Sequence, residues 1–177
     1  MKKHILVSAV IVIIVKSLSW SVQAQQKGIE KQKRYYSVSS ELHSYELIVW
    51  LSDDVLALQV ADDTRIGAWY QWQSTSPTFY QIFQAHNYRI EFERVDTLSQ
   101  QKLFRQIKFL IENDSLKDSV KVGDSLVTLL ETMTSDSIHK QISEWDNYKT
   151  FDYADIGDNE ADPVLSKLIH QGFFRQL

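Results

Sequence analysis

The clearest periodicity in the chain lies in residues 96–112, DTLSQQKLFRQIKFLIE. At about 100° per residue, five large apolar side chains fall on one stripe roughly 120° wide, which is the pattern of a helix packed on a core. Asp96 or Thr97 can cap the free amides at its start, and Thr97 and Gln100 have the spacing of a capping box. We therefore predict a helix whose core-facing stripe comprises Leu103, Phe104, Ile107, Leu110 and Ile111.

The part of the chain before this helix has the two-residue alternation of strands. Residues 45–51 are apolar on nearly both faces, which is typical of a central strand covered on both sides. In the two-residue connection His86-Asn87, asparagine tolerates the positive φ that a hairpin needs. Because connections this short join antiparallel neighbours, we predict a meander. Its strands are residues 45–51, 55–60, 66–73, 78–85 and 88–95.

The part after the helix predicts a hairpin and a second helix. Residues 113–123 are polar and are expected to loop back over the sheet edge, and residues 125–133 and 138–145 are expected to pair as two strands. An acid-rich loop, residues 148–161, precedes Asp162-Pro163, which offers a capping acid and a proline at the first helical position. The core-facing stripe of this closing helix comprises Leu165, Leu168, Ile169, Gly172 and Phe173.

These elements together predict one α+β domain. We expect an antiparallel meander sheet of about six to eight strands, with one central amphipathic helix and a C-terminal helix packed on it. The domain spans residues 25–177, of which residues 25–33 are polar and are predicted to be a flexible tail. Its 177 − 24 = 153 residues are enough to bury roughly 70% of the surface of the unfolded chain in a single core.

Residues 1–24 have the pattern of a secretory signal peptide. They combine a basic start at Lys2 and Lys3, an apolar run over residues 5–15, and the small-residue end Val22-Gln23-Ala24. The run is well short of the ~20 residues that cross a bilayer, so we expect cleavage after Ala24 and no membrane insertion of the mature chain. The chain has no cysteine, which excludes disulfides and lipid-modified cysteine. We predict a bacterial protein located in the periplasm or outside the cell.

The charge of the mature chain argues against two classes of partner. Removal of Lys2, Lys3 and Lys16 leaves a net charge of (19 − 3) − 23 = −7. A chain of this sign is repelled by nucleic acids and by anionic membrane surfaces. A protein or a glycan is therefore the expected partner, and the sequence does not specify an oligomeric state.

An aromatic group around residues 69–73 is the main candidate for a ligand site. Trp69, Tyr70 and Trp72 lie close together with glutamines between them, and Tyr80 follows on the next strand. Strict alternation places Tyr70 and Trp72 on one face and Trp69 on the other. Flat rings beside amides are suited to a sugar or a peptide. The alternative is a strand packed on both faces, because aromatic residues are enriched in strands for packing reasons alone.

The acidic cluster before the closing helix is a weaker candidate, for a metal ion. Asp152, Asp155 and Asp158 are loop carboxylates of the kind that bind calcium. Their spacing fits no EF-hand register, and acids before a helix N-terminus are also favoured by the helix dipole. The sequence predicts no cofactor.

The sequence lacks the common catalytic motifs. The chain has no nucleophile elbow, phosphate loop, dinucleotide fingerprint or HExxH helix, and the histidines of the mature part, His43, His86, His139 and His170, are scattered. Ser137 and Lys140 have the Ser-x-x-Lys spacing of some acyl enzymes, whose serine begins a helix, but here we predict a turn entering a strand.

Five tripeptides of Asp, Ser or Thr, and an aliphatic residue resemble the acceptor of a general O-glycosylation system of exported bacterial proteins. The alternative is a purely structural role, since Asp and Ser are also common at turns and helix caps. Accessible copies in residues 113–123 are the best candidates for modification. The five are residues 96–98, 114–116, 118–120, 124–126 and 136–138.

Three functions remain open. The first is a non-catalytic exported binding protein that acts through its aromatic strand or through a sheet edge. The second is an inhibitor of an exported protease, because the predicted order of helix, hairpin, acidic loop and short helix from residue 96 onward resembles the layout of small exported metalloprotease inhibitors of the emfourin type. The third is an enzyme with an unrecognised carboxylate or serine site.

Overall fold

The computed structural model describes residues 28–93, 98–112, 119–156 and 161–171. Within these ranges the chain forms nine strands and three α-helices. The strands are β1 (Gln32–Ser39), β2 (Ser44–Leu51), β3 (Val55–Val60), β4 (Arg65–Tyr70), β5 (Thr78–Phe83), β6 (Tyr88–Phe92), β7 (Val120–Val122), β8 (Ser125–Thr134) and β9 (Lys149–Asp152). The helices are α1 (Leu98–Glu112), α2 (Asp136–Trp145) and α3 (Pro163–Gln171).

All nine strands belong to one sheet, in the order β7-β8-β1-β2-β3-β4-β5-β6-β9. Strands β1 to β6 form an antiparallel meander, β8 and β7 extend it beyond β1, and β9 adds to β6 in the parallel direction. The predicted α+β class, with a meander sheet and helices packed on it, is confirmed. The sheet has more strands than expected because β1 and the short edge strands β7 (3 residues) and β9 (4 residues) are not among the predicted strands.

The sheet separates two cores. On one face, α1 and α3 pack against the larger core, to which α1 contributes Phe104, Ile107 and Leu110. On the other face, α2 packs against a smaller core that contains Trp50 and Trp145. Strand β2 serves both cores, with Val49 in the first and Trp50 in the second. The prediction of a central strand covered on both sides is confirmed.

The α2 helix is the main correction to the sequence analysis. Residues 138–145 were predicted to be the second strand of a hairpin, yet they belong to a helix that buries Ile138, Ile142 and Trp145. These three residues are spaced by four and three positions, so they fall on one face of a helix, whereas a strand would place Trp145 on the face opposite Ile138 and Ile142. The layout that carried the resemblance to emfourin-type inhibitors therefore contains a hairpin that this protein lacks at residues 138–145.

Three smaller predictions are also corrected. Strand β4 ends at Tyr70 rather than at residue 73, because Gln71 adopts the left-handed conformation with φ of 52° and turns the chain. The two predicted loops each contain a short strand: residues 120–122 form β7 beside β8, and residues 149–152 form β9 beside β6. Strand β1 begins at Gln32, inside the predicted tail of residues 25–33.

Both predicted core helices are present. The side chain of Asp162 caps α3, because its Oδ1 accepts hydrogen bonds from the backbone N–H groups of Val164 (2.9 Å) and Leu165 (3.1 Å). Leu165 and Leu168 are buried in the larger core, as predicted. Several predictions lie outside the described part of the structure: the signal peptide, the capping residues Asp96 and Thr97, the side chains of Leu103 and Ile169, Gly172 and Phe173.

The connections include one feature that the sequence specified. Asn87 has φ of 54°, as predicted, but the predicted two-residue connection is wrong, because β5 ends at Phe83 and a 3-10 turn (Gln84–His86) precedes Asn87. Among the described residues, no helix has the length and apolar character to cross a membrane.

Candidate functional site

Trp69 and Trp72, two of the four predicted ligand residues, lie inside the larger core. Their side chains are only 3% and 1% exposed. The Trp69 ring stacks on Phe104 of α1 at a centroid distance of 5.1 Å, and the indole N–H of Trp72 donates a 2.8 Å hydrogen bond to the Ser52 carbonyl. These rings anchor α1 and the turn after β2, and they do not present a flat surface to a ligand.

The turn at Gln71 explains why strict alternation failed for this group. Tyr70 was expected to share a face with Trp72, but Tyr70 packs against the smaller core while Trp72 joins Trp69 in the larger one. The left-handed backbone conformation of Gln71 interrupts the alternation of the strand. The Trp72 side chain therefore lies on the same face of the sheet as Trp69. Positive φ at a glutamine has no local sequence signal.

Tyr70 and Tyr80, the other two predicted ligand residues, surround the guanidinium of Arg89. The Arg89 Cζ atom lies 5.7 Å from the centroid of the Tyr70 ring and 4.7 Å from that of Tyr80. The Tyr80 hydroxyl donates a 3.0 Å hydrogen bond to the Glu91 carboxylate. This group of aromatic and charged side chains lies next to the C-terminal end of α2, where Arg89 Nη1 is 3.2 Å from Asp146 Oδ1.

The environment keeps both tyrosine hydroxyls protonated. Burial, followed by the hydrogen bond to Glu91, raises the pKa of Tyr80 to about 12. Burial, followed by the nearby Asp146 carboxylate, also raises the pKa of Tyr70 above its ordinary value. A tyrosine that acts as a base or nucleophile needs a lowered pKa, so these shifts disfavour both roles for Tyr70 and Tyr80. The Arg89 Nε–H also donates to Thr150 Oγ1 at 2.8 Å, so the arginine joins β6 to β9.

The acidic residues do not gather around a common point. Asp152 Oδ1 accepts a 2.9 Å hydrogen bond from the backbone N–H of Ala154, which is a local turn contact. Asp155 is exposed, and Asp158 lies outside the described residues. Within the described ranges, no group of three or more His, Cys, Asp or Glu side chains is placed to hold a metal ion.

Asp162 instead makes structural contacts on both of its oxygens. Besides capping α3, its Oδ2 accepts a 2.8 Å hydrogen bond from the Tyr88 hydroxyl and a 3.1 Å hydrogen bond from Lys149 Nζ. The backbone N–H of Leu165, the Tyr88 hydroxyl and the Lys149 ammonium, in that order, lower the pKa of Asp162 to about 2. This carboxylate joins α3 to the β6–β9 edge of the sheet.

Ser137 and Lys140 occupy a helix rather than the predicted turn and strand. Both are exposed near the start of α2, where the Ser137 hydroxyl is 2.5 Å from Ser135 Oγ and Lys140 Nζ lies 4.0 Å from Glu144. Their spacing now has the helical context of an acyl enzyme, but an activated serine needs a base and a site that excludes water. The exposed positions of both residues supply neither.

The remaining polar candidates are spread over the surface. His43 lies in the β1–β2 turn, His86 in the 3-10 turn and His139 on α2, where its Nδ1 is 3.1 Å from Ser143 Oγ. Of the glycosylation tripeptides, Ser119 and Ser137 present exposed hydroxyls. Glycosylation of all five tripeptides stays a prediction, and residues 96–97 and 113–118 lie outside the described part of the structure.

Two clefts flank α1. The cleft on the side of β4, β5 and β6 has a volume of about 190 Å³, a floor that includes Trp69 and Phe104, and a rim that includes Arg105. The cleft on the side of the β7–β8 turn has a volume of about 330 Å³. Since pockets for small organic ligands hold roughly 300–1,000 Å³, only the second reaches that size.

Among the described elements, β8 carries the largest number of exposed large apolar side chains. Strand β7 pairs only with residues 125–127 of β8, so within the described chain no strand covers the outer side of the following residues. Three of the five exposed large apolar side chains in the described part of the chain lie on β8. They are Leu126 (45% exposed), Leu130 (55%) and Met133 (42%). We call the outer side of β8 from Leu129 to Thr134 the free β8 edge.

Comparison with known proteins gives no family for this chain. No protein-family model matches it, and no curated protein sequence is significantly similar.

Proposed function

We propose that this chain is an exported, non-catalytic binding protein that adds an extended segment of a partner protein to the free β8 edge. The observation that carries this proposal is the length of exposed, apolar strand at that edge. An uncovered strand offers unpaired backbone N–H and C=O groups, to which a peptide adds as a further strand.

The side chains of the free β8 edge indicate the chemistry of its partner. Leu130 and Met133 offer apolar contact area, while Glu131 is exposed between them. The mature chain is also negative, at (19 − 3) − 23 = −7. A partner strand that alternates apolar residues with lysine or arginine would complement both properties, because opposite charges attract across paired strands.

An irregularity in the sheet supports selective pairing. The register between β1 and β8 shifts between Tyr35 and Tyr36, so Leu130 is an extra residue in β8. A bulge increases the local twist, and together with an exposed charge such as Glu131 it disfavours pairing with arbitrary strands. A partner matched in twist and charge can still add to this edge.

The burial of the predicted aromatic site favours a protein over a glycan as the partner. A sugar ring stacks on an exposed aromatic face, and Trp69 and Trp72 are buried. The raised pKa values of Tyr70 and Tyr80 and the exposed setting of Ser137 support a non-catalytic role over an enzyme.

Peptide selection tests the free β8 edge directly. Random peptides displayed on phage are selected on the mature protein, and a synthetic copy of the strongest binder is used to map amide hydrogen exchange. We expect slower exchange at residues 129–134, and at least a tenfold loss of affinity in the double variant Leu130→Lys, Met133→Lys, because two cations replace the apolar contacts and repel a basic peptide. The matched control is Leu42→Lys, an 84% exposed leucine in the β1–β2 turn, which should leave affinity unchanged.

Two results would contradict the proposed function. In the first, the selected peptides protect residues away from β8 and bind the double variant normally. In the second, sedimentation shows that the wild-type protein self-associates and that the double variant does not, so that the edge takes a second copy of the chain instead of a basic partner strand.

Export has a separate test. On the strength of Val22-Gln23-Ala24, the exported protein should begin at Gln25. Intact-mass measurement of protein recovered outside the cytoplasm gives the N-terminus. Full-length protein held in a membrane fraction would make this an anchored protein.

A further inference from the structure

We propose that the 330 Å³ cleft between α1 and the β7–β8 turn binds a short apolar peptide through both of its charged termini. This is a second site, on the face of the sheet that carries α1, and it does not depend on partner binding at the free β8 edge. The occupant is identified by the pairing of an apolar floor with one cation and one anion at the rim.

The floor of the cleft is aliphatic. Leu47 and Val127 contribute from the sheet, and Ile107 and Leu110 contribute from α1. All four belong to the larger core and are at most 5% exposed, so their positions are fixed by packing around them. The accessible apolar surface of the cleft comes from Tyr45 and Val122, which also line it and are only partly buried. Aliphatic side chains of a ligand can cover this surface, and burial of apolar surface is the main source of affinity in small pockets.

The rim supplies the charge complementarity. Lys102 of α1 and Asp124 of the β7–β8 turn both line the cleft and are both exposed. Within the described part of the chain, neither side chain takes part in an ion pair. Lys102 can therefore receive a carboxylate, and Asp124 can receive an ammonium group.

Further polar groups on the rim favour a peptide over a single amino acid. Gln106 and Ser125 add an amide and a hydroxyl to the lining. They offer both donors and acceptors, which the central amide of a dipeptide can use and which a free amino acid, having no peptide amide, cannot match. The cleft volume lies at the lower end of the range for small-ligand pockets, so a dipeptide or tripeptide is the appropriate size.

Calorimetric titration with the dipeptide Leu-Leu tests this assignment. The probe is compared with its N-acetylated form and its C-amidated form, each of which lacks one charge. We expect saturable binding of Leu-Leu, and each blocked form should bind about two- to fivefold more weakly, since a partly exposed charge pair contributes a factor of this size. Lys102→Gln should remove the preference for a free carboxylate, and Asp124→Asn should remove the preference for a free amine.

Two control variants show whether the dipeptide binds in this cleft. Lys121→Gln removes a neighbouring exposed cation of β7 that does not line the cleft, and it should leave every affinity unchanged. Leu130→Lys should also bind Leu-Leu as the wild type does, which makes failure of this site distinguishable from failure of the proposed function. The assignment is overturned if Leu-Leu does not bind saturably, if the blocked forms bind equally well, or if the two rim variants keep both preferences.

Discussion

Trp72 beside β4 and Met133 on β8 are both large apolar side chains in or next to a strand, yet Trp72 is buried and Met133 is exposed. Strand β4 lies in the interior of the sheet order, and both Trp69 and Trp72 are buried in the core that α1 covers. Strand β8 lies next to the short edge strand β7, and its Leu130 and Met133 remain exposed. Position in the sheet, rather than chemical character, determines which apolar side chains are available for binding.

Trp72→Ala should have the largest effect on stability. Removing a ring that is 1% exposed and hydrogen-bonded to Ser52 should lower the free energy of unfolding by about 3–5 kcal/mol. Denaturant titration measures this difference. A change below ~1 kcal/mol would mean that the ring is accessible, and the aromatic site predicted from the sequence would return as a candidate.

Ile107→Ala tests the helix that covers those tryptophans. Ile107 is 5% exposed at the centre of the stripe on α1, so its truncation should cost about 2–5 kcal/mol. Arg105→Ala on the exposed side of the same helix should change stability by less than ~0.5 kcal/mol. Similar losses in the two variants would place the core-facing stripe elsewhere on α1.

At the β9 edge, opposite the free β8 edge, Asp162 makes stability dependent on acid pH. Its pKa is lowered to about 2 in the folded chain from an ordinary value of 3.8, so the unfolded chain binds more protons between these values. The stabilisation is therefore complete above about pH 4 and is lost as the pH falls toward about 2. Thermal midpoints of the wild type and of Asp162→Asn should converge over this range.

Tyr88→Phe is the matched partial variant for that measurement. It removes one hydrogen bond to Asp162 and leaves the Lys149 contact and the α3 cap in place. As the pH falls, the difference in thermal midpoint between Tyr88→Phe and the wild type should therefore shrink by less than the difference between Asp162→Asn and the wild type. An Asp162→Asn variant whose deficit stays constant from neutral pH to pH ~2 would contradict the role of this carboxylate.

Leu130→Lys should have the smallest effect on stability. A side chain that is 55% exposed contributes little to folding, so the free energy of unfolding should change by less than ~0.5 kcal/mol. This result is also the condition under which the peptide-binding experiment reports on contact rather than on folding. A loss comparable to that of Ile107→Ala would mean that Leu130 is covered in solution.

The meander and the two core helices could be predicted because their signals are local. The alternation of side chains in β2, the helical spacing of apolar residues in α1 and the Asp162-Pro163 cap can each be seen within a short stretch of sequence. The α2 helix also had a local signal, since Ile138, Ile142 and Trp145 are spaced as on one helix face, but a run of eight residues beginning after a turn was interpreted as a returning strand.

The site could not be predicted in the same way. Whether Trp69 or Leu130 is exposed depends on which strands become neighbours, and the order β8-β1 joins segments far apart in the chain. The parallel strand β9 could not be predicted for the same reason. Its four residues are held by hydrogen bonds to Arg89 and Asn87, which belong to a distant segment of the chain. Long-range pairing of this kind leaves no mark in either local sequence.

The strand order also has a consequence for how the chain folds. Strands β1 to β6 pair with their neighbours in sequence, so this part has low contact order and can form while the rest is still being synthesised. Both outer sides of that meander, along β1 and along β6, are covered only by the later strands β8 and β9. A nascent chain that has completed β6 thus exposes two bare strands at once, and synthesis of residues 93–152 is the interval in which it is most exposed to aggregation.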